Sequence, residues 1–333
     1  MPPRSLLVVH LSLLATAAIW GGNFSAIKHL LGTLEPIDVM VLRVGGAAIL
    51  FAVVLLARRG GRRRVLPADM TKMLGLGLLG ITVMNLGFVS GQNLIPAAMA
   101  SLIVTSNPIH TTIFSSLFGI ERLTARKVGG IALAMVGFVI LVLRGSGGGA
   151  DLGGGHLKGI LLVAVAPFSW AIYTVLSKPL VVRYGPTETA AYTTIGGAIG
   201  LLPVLAFQDG MAGRLGGLGL GDWGVAFYMS GVGLFLAYIL WYRGLQVLSP
   251  SQTAVYIYLV PLFGLLFAWL LLGEQVTRWL ILGGGTILAG VILTNSGRTR
   301  PSAVGSTTAT PTPGADPDVT EPPARSHARP IQA

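Results

Sequence analysis

The chain has 333 residues, 53% of them hydrophobic and only 11% charged, with a mean hydropathy of +0.74. A soluble domain carries roughly 25% charged residues, so this chain has too little charge to cover a water-facing surface. Its net charge of +11 lies mainly in short segments between apolar runs, which points to membrane-side anchoring and not to nucleic-acid binding. With no cysteine there is no disulfide, thiolate nucleophile or cysteine metal site.

Apolar runs of about 20 residues cross a hydrocarbon core of ~30 Å, and ten are expected here. The first covers 6–31. Arg4 and Ala15-Thr16-Ala17 have the look of a cleaved signal peptide, but the run continues past Trp20 to Leu31, so retention is expected. Trp20 and Lys28 are eight residues apart and share a helix face. That suits an aromatic cavity wall with a Lys28 gate at its mouth, or else two interfacial anchors. The second run, 36–57, carries Arg43, which is expensive in lipid and is expected to pair or snorkel toward Asp38 or Glu35.

The third run, 73–94, places Asn85, Phe88 and Gln92 on one face at i, i+3 and i+7. Amides in lipid need partners, so this face should look inward, to a substrate or a neighbouring helix. The fourth, 96–118, contains Pro108, which removes a backbone donor and should kink the helix. Asn107 and His110 line that kink. His110 is the only histidine deep inside an expected span, which makes it the proton-coupling candidate or a neutral, locally bonded ring. The fifth run covers 128–143, and a flexible Gly-rich linker follows over 144–156.

Runs six to ten are 157–181, 187–207, 223–248, 250–272 and 279–294. The sixth carries Trp170 and Lys178, again eight apart, with the same cavity-wall and gate reading. The eighth carries Tyr238, Trp241 and Tyr242 at i, i+3 and i+4, aromatics with polar tips that suit an amphipathic solute. The ninth holds Tyr256, Tyr258 and a second break at Pro261. From residue 297 the apolar pattern stops, and 297–333 is expected to be a disordered cytoplasmic tail. Arg58, Arg59, Arg62, Arg63, Arg64, Lys72, Arg122, Arg126, Lys127, Lys178, Arg183, Arg298 and Arg300 then all fall on one side, the cytoplasm, with both termini.

The two halves repeat. Trp20–Lys28 is echoed by Trp170–Lys178, and Gly45-Gly46-Ala47 by Gly196-Gly197-Ala198. Leu117-Phe118-Gly119-Ile120-Glu121 is echoed by Leu270-Leu271-Leu272-Gly273-Glu274, and Gly130 and Gly137 by Gly283 and Gly290. If each copy crosses five times, the copies are inverted, an arrangement found in secondary transporters. The ordered set, occurring twice over residues 6–295, resembles the EamA-like family of the drug/metabolite transporter superfamily. The resemblance implies an all-α membrane protein of ten helices, two inverted five-helix repeats (1–143 and 157–296) around a central cavity, and alternating-access movement of small metabolites. Ile120, between Gly119 and Glu121, is a small departure from the pattern.

No carboxylate falls in the middle third of any expected span, so the usual proton carrier or sodium ligand is missing. Neither a phosphate-binding Gly-Lys-Ser/Thr loop nor a His-Glu-x-x-His site is present. The expected function is secondary transport of a small organic metabolite, an amino acid or related compound, with export favoured, in the inner membrane and without cofactor or metal. A drug exporter is the near alternative, and a membrane-embedded lipid-modifying enzyme the distant one. The expected partners are the solute and the bilayer, and the sequence does not settle oligomeric state. The expected substrate cavity comprises Trp20, Asn85, Gln92, Asn107, His110, Trp170, Tyr238, Trp241 and Tyr242.

Overall fold

The computed structural model describes residues 3–57, 65–119, 124–144, 155–206 and 208–295. The arginine-rich segment 58–64, Glu121 and Arg122, linker residues 145–154 and the tail from 297 lie outside the described residues. Among those described, every regular element is helical. They are α1 (Pro3–Leu30), α2 (Pro36–Ala57), α3 (Pro67–Leu94), α4 (Ala97–Val104), α5 (Asn107–Leu117) and α6 (Ala125–Arg144). Then follow α7 (Gly155–Tyr184), α8 (Pro186–Leu205), α9 (Met211–Gly216), α10 (Leu220–Val247), α11 (Pro250–Leu272) and α12 (Arg278–Asn295). Six of these, α1 from Leu6, α2, α3, α7, α10 and α11, are long and apolar enough to cross a membrane. The chain is a multi-pass helical membrane protein.

Local chemistry sets the helix ends. Pro36, Pro67, Pro186 and Pro250 each open a helix, where a missing N–H is harmless. Gly119 and Gly273 follow the last turns of α5 and α11 with φ of +71° and +66°. A side chain strains that left-handed conformation, so the glycine that each repeat places ahead of its closing glutamate is a helix stop. The run 96–118 is two helices, because Thr105 and Ser106 form a turn ahead of Pro108 at the start of α5. In α11 the turn before Pro261 tightens to a 3₁₀ stretch, Val255–Leu259. Three further helices widen to π turns: Val41–Gly45 in α2, Leu78–Val83 in α3 and Tyr228–Leu236 in α10. Such turns often occur at functional sites. The short α9 has no counterpart in the apolar pattern.

Helices in lipid gain little from the hydrophobic effect and associate through close packing at small residues. At the α6–α12 crossing a Cβ on Gly137 would lie 2.7 Å from the Gly283 oxygen, and one on Gly290 would lie 2.5 Å from the Gly130 oxygen. Each glycine of one repeated pair therefore faces the other pair in reverse order. A Cβ on Gly77 in α3 would meet the Thr193 oxygen of α8 at 2.1 Å, and one on Gly91 the Gly159 oxygen of α7 at 2.6 Å.

Candidate solute-binding site

A cavity of about 80 Å³ lies among α1, α2, α3, α7, α10 and α11, at the α4–α5 break. At ~10–15 Å³ of accessible volume per water, it seats on the order of half a dozen waters, the scale of a small metabolite. Trp20, Trp170 and Tyr238 form its aromatic wall. Trp20 and Trp170 stand edge to face at 5.5 Å, and Trp170 and Tyr238 lie 5.3 Å apart. Trp241 packs behind them, 5.1 Å from Trp20. Phe24 and Phe88, edge to face at 5.2 Å, line another side. Val104, Ala166, Pro167, Ile257 and Val260 complete an apolar lining.

The broken helix holds Asn107 in place. Its Nδ2 donates to the Pro167 carbonyl at 3.0 Å and its Oδ1 accepts from Thr111 at 3.2 Å. Trp20 Nε1 donates to the Gly233 carbonyl at 3.0 Å, in the widened stretch of α10. Other polar atoms at the cavity have no hydrogen-bond partner among the described residues: Asn23 Oδ1, Arg43 Nε, Trp170 Nε1 and Tyr238 OH. Trp241 Nε1 behind the wall is a fifth. Buried polar groups are nearly always satisfied, which makes these unpartnered atoms a notable feature of the cavity. No carboxylate lines the cavity among the described residues.

Residues 7–143 match the EamA-like transporter family, and residues 157–296 match it a second time. The chain belongs to the EamA-like transporter family. An "Uncharacterized transporter" of Archaeoglobus fulgidus is 30% identical over 84% of this chain and 95% of its own. The "Probable terminal-alkyne amino-acid exporter" of Streptantibioticus cattleyicolor is 26% identical over 85% of this chain and 92% of its own. A solved crystal structure superimposes with a TM-score of 0.61 at 18% identity, covering 89% of this chain and 98% of that one, and shares the fold. Membership makes this EamA-like chain a membrane transporter for a small-molecule solute, not an enzyme.

Of the expected cavity residues, Trp20, Asn107, Trp170 and Tyr238 meet around the cavity. Asn85 reaches it through Arg43, whose Nη1 donates to Asn85 Oδ1 at 2.9 Å. Gln92 sits farther along α3, its Nε2 donating to the Phe24 carbonyl at 2.6 Å. Tyr242 turns away, donating to Tyr173 OH, which meets Thr193 Oγ1 at 2.8 Å. His110 is half-buried outside the lining, with Nδ1 3.0 Å from the Ser106 carbonyl and its ring against Phe168. Neither Tyr256 nor Tyr258 lines the cavity; Tyr256 bonds His10, and Ile257 between them faces in.

The two lysines bind helix ends. Lys28 Nζ donates to the carbonyls of Gln92 and Ile95, both at 3.0 Å, where α3 ends. Lys178 Nζ does the same for Leu245 and Leu248, at 2.5 and 2.8 Å, where α10 ends. Glu274 caps the start of α4, accepting from the N–H groups of Ala97 and Ala98 at 2.9 and 3.0 Å.

One expectation is corrected. Arg43 does not pair with Asp38 or Glu35, because Arg214 occupies both. Its Nε and Nη2 grip Asp38 at 2.6 and 3.0 Å, and its Nη1 lies 3.4 Å from Glu35. Arg214 belongs to the loop helix α9, which apolar periodicity does not reveal. Asn23 and Arg43 are the polar lining residues that sequence reasoning missed as site residues; each lies inside an apolar run, the signal that finds them.

Proposed function

We propose that this EamA-like protein is a secondary transporter that moves a small organic metabolite, an amino acid or related compound, outward by alternating access. The carrying observation is the aromatic cavity with unpartnered polar atoms from both halves of the chain. Trp20, Asn107, Trp170 and Tyr238 contact the solute, Asn85 positions Arg43, and Trp241 and Tyr242 back the wall. Gln92, Lys28 and Lys178 act at the mouths by holding the turns that a gate must move. The name of the Streptantibioticus relative supports the amino-acid reading.

The architecture proposed is ten spans in two inverted repeats, 1–143 and 157–296, joined by a linker at 144–156. The double family match, the reversed glycine contacts between α6 and α12, and the equivalent lysine caps all support it. The proposed location is the inner membrane with both termini cytoplasmic. Tags at Gly60 and at the C-terminus are then cytoplasmic and a tag at Gly149 external; labelling of Gly60 and Gly149 from one side ends this topology.

Counterflow in proteoliposomes, with amino acids, nucleosides and cationic dyes as separate panels, tests the function. Exchange of amino acids is expected. Exchange of dyes alone moves the reading to drug export, which the cationic Arg43 in the lining disfavours. No exchange in any panel contradicts transport by this route.

A further inference from the structure

Arg43 is 5% exposed and cannot lose its proton inside a protein. Its Nη1 donates to the Asn85 oxygen at 2.9 Å, and its Nε has no hydrogen-bond partner among the described residues. Asn85 is itself fixed, its Nδ2 donating to the Ile81 carbonyl at 2.7 Å, so its oxygen is aimed at Arg43. The Phe88 ring lies 5.7 Å from the guanidinium carbon. No carboxylate pairs with Arg43 among the described residues.

The same molecule shows what such an edge binds. Arg214 uses Nε and Nη2 side by side to hold the two oxygens of Asp38. This planar fork matches a carboxylate geometrically. In Arg43 the buried Nε of the equivalent edge has no hydrogen-bond partner among the described residues, and the residue lines the cavity. Nearby on the lining, Asn23 Oδ1 is an acceptor without a donor.

We propose that the Nε–Nη2 edge of Arg43 is the carboxylate subsite of the cavity, so that the transported solute is a carboxylate with an apolar body. The body lies against Trp20, Trp170 and Phe88, and Asn23 Oδ1 accepts from a donor on the solute such as an ammonium. This rests on the transport reading above and names its substrate class. Asn85 is a positioning residue. By holding Nη1 it leaves the fork turned to the solute.

The test is binding to purified full-length protein, read as the rise in thermal-unfolding midpoint. The probes are leucine, phenylalanine and glutamine, each against its carboxamide. The wild type should bind at least one free acid tenfold or more tightly than its carboxamide. Asn85→Asp places a permanent carboxylate on Arg43. It gives up the Nδ2 bond to Ile81 in exchange for a charge pair with Arg43, so folded protein should be recovered, and it should lower binding of the free acid at least tenfold. Arg43→Gln should erase the preference for acid over amide, and Arg43→Lys should keep part of it. If Arg43→Gln is not recovered folded, Asn85→Asp, which retains the guanidinium, decides. Carboxamides bound as tightly as acids by the wild type overturn the subsite, as does an undiminished acid preference in folded Asn85→Asp. Counterflow of a dye or nucleoside without any acid preference removes the subsite and leaves transport standing. Acid-selective binding without counterflow of any solute keeps the subsite and removes the transport reading.

Discussion

The helix ends and the cavity use similar polar side chains to opposite effect. At the ends, four charged groups find protein partners: Lys28 and Lys178 bind carbonyls, Glu274 binds amides, and Arg214 binds Asp38. Around the cavity, Arg43, Asn23, Trp170 and Tyr238 keep atoms without partners. In a low-dielectric setting a buried unpaired group costs about 1–3 kcal/mol. Paired groups therefore read as scaffold, and a cluster of unpaired ones as a place for a ligand. On the proposed reading, the contrast separates residues whose loss should harm folding from those whose loss should harm transport.

The largest expected effect is at the α6–α12 crossing. Gly290→Val puts a branched side chain where even a Cβ lies 2.4 Å from the Ala134 nitrogen. Backbone cannot yield as a flexible side chain does, so folded protein should fall severalfold in size-exclusion yield, and Gly137→Val should match it. Gly75→Ala, where a Cβ meets nothing within 4 Å, should leave yield unchanged. Equal yields for all three variants dissolve the crossing as a scaffold element.

Next come the lysine caps. Lys28→Met and Lys178→Met each remove charge-assisted hydrogen bonds, and each should lower stability on the order of 2 kcal/mol. Thermal unfolding in detergent checks this, with transport falling only as far as folded protein does. A variant of normal stability with transport abolished would make that lysine a gate that acts on the solute itself.

The smallest effect is expected at His110. It bonds a backbone carbonyl one turn away and lies outside the lining. His110→Gln should leave solute uptake within about twofold, with no proton flux in either form, because its imidazole has no described carboxylate to relay to. Solute-dependent pH change in wild-type vesicles, lost in the variant, would make His110 a proton carrier and contradict this expectation.

Much of the fold was legible because lipid imposes long apolar runs, and Trp, Lys and Gly punctuate those runs twice. Pro108 was legible as a break because its missing N–H acts locally. The site was legible in part. Trp20, Asn107, Trp170 and Tyr238 come together because amides and polar-tipped aromatics rarely face lipid. Tyr242 carries the same chemistry but finds a protein partner, Gln92 bonds Phe24 through Nε2 away from the cavity, and no spacing rule tells a lining polar group from one that packs elsewhere. Arg43 was assigned to the nearest acids in sequence, yet Arg214 takes both across the fold from α9. That competition is tertiary and leaves no periodic trace.

The central claim is that unpaired polar atoms at the cavity serve the solute and not the fold, and Tyr238→Phe tests it most directly. Tyr238 is 1% exposed and its hydroxyl has no partner, so deleting the oxygen breaks no hydrogen bond of the protein. Unfolding midpoint and counterflow should be measured on the same preparation, using the solute that exchanges in the wild type. The midpoint should hold or rise while counterflow drops about tenfold, the loss of one hydrogen bond of roughly 1.4 kcal/mol to the moving solute. A lowered midpoint with counterflow falling only in proportion would show the hydroxyl to be scaffold and would contradict the account.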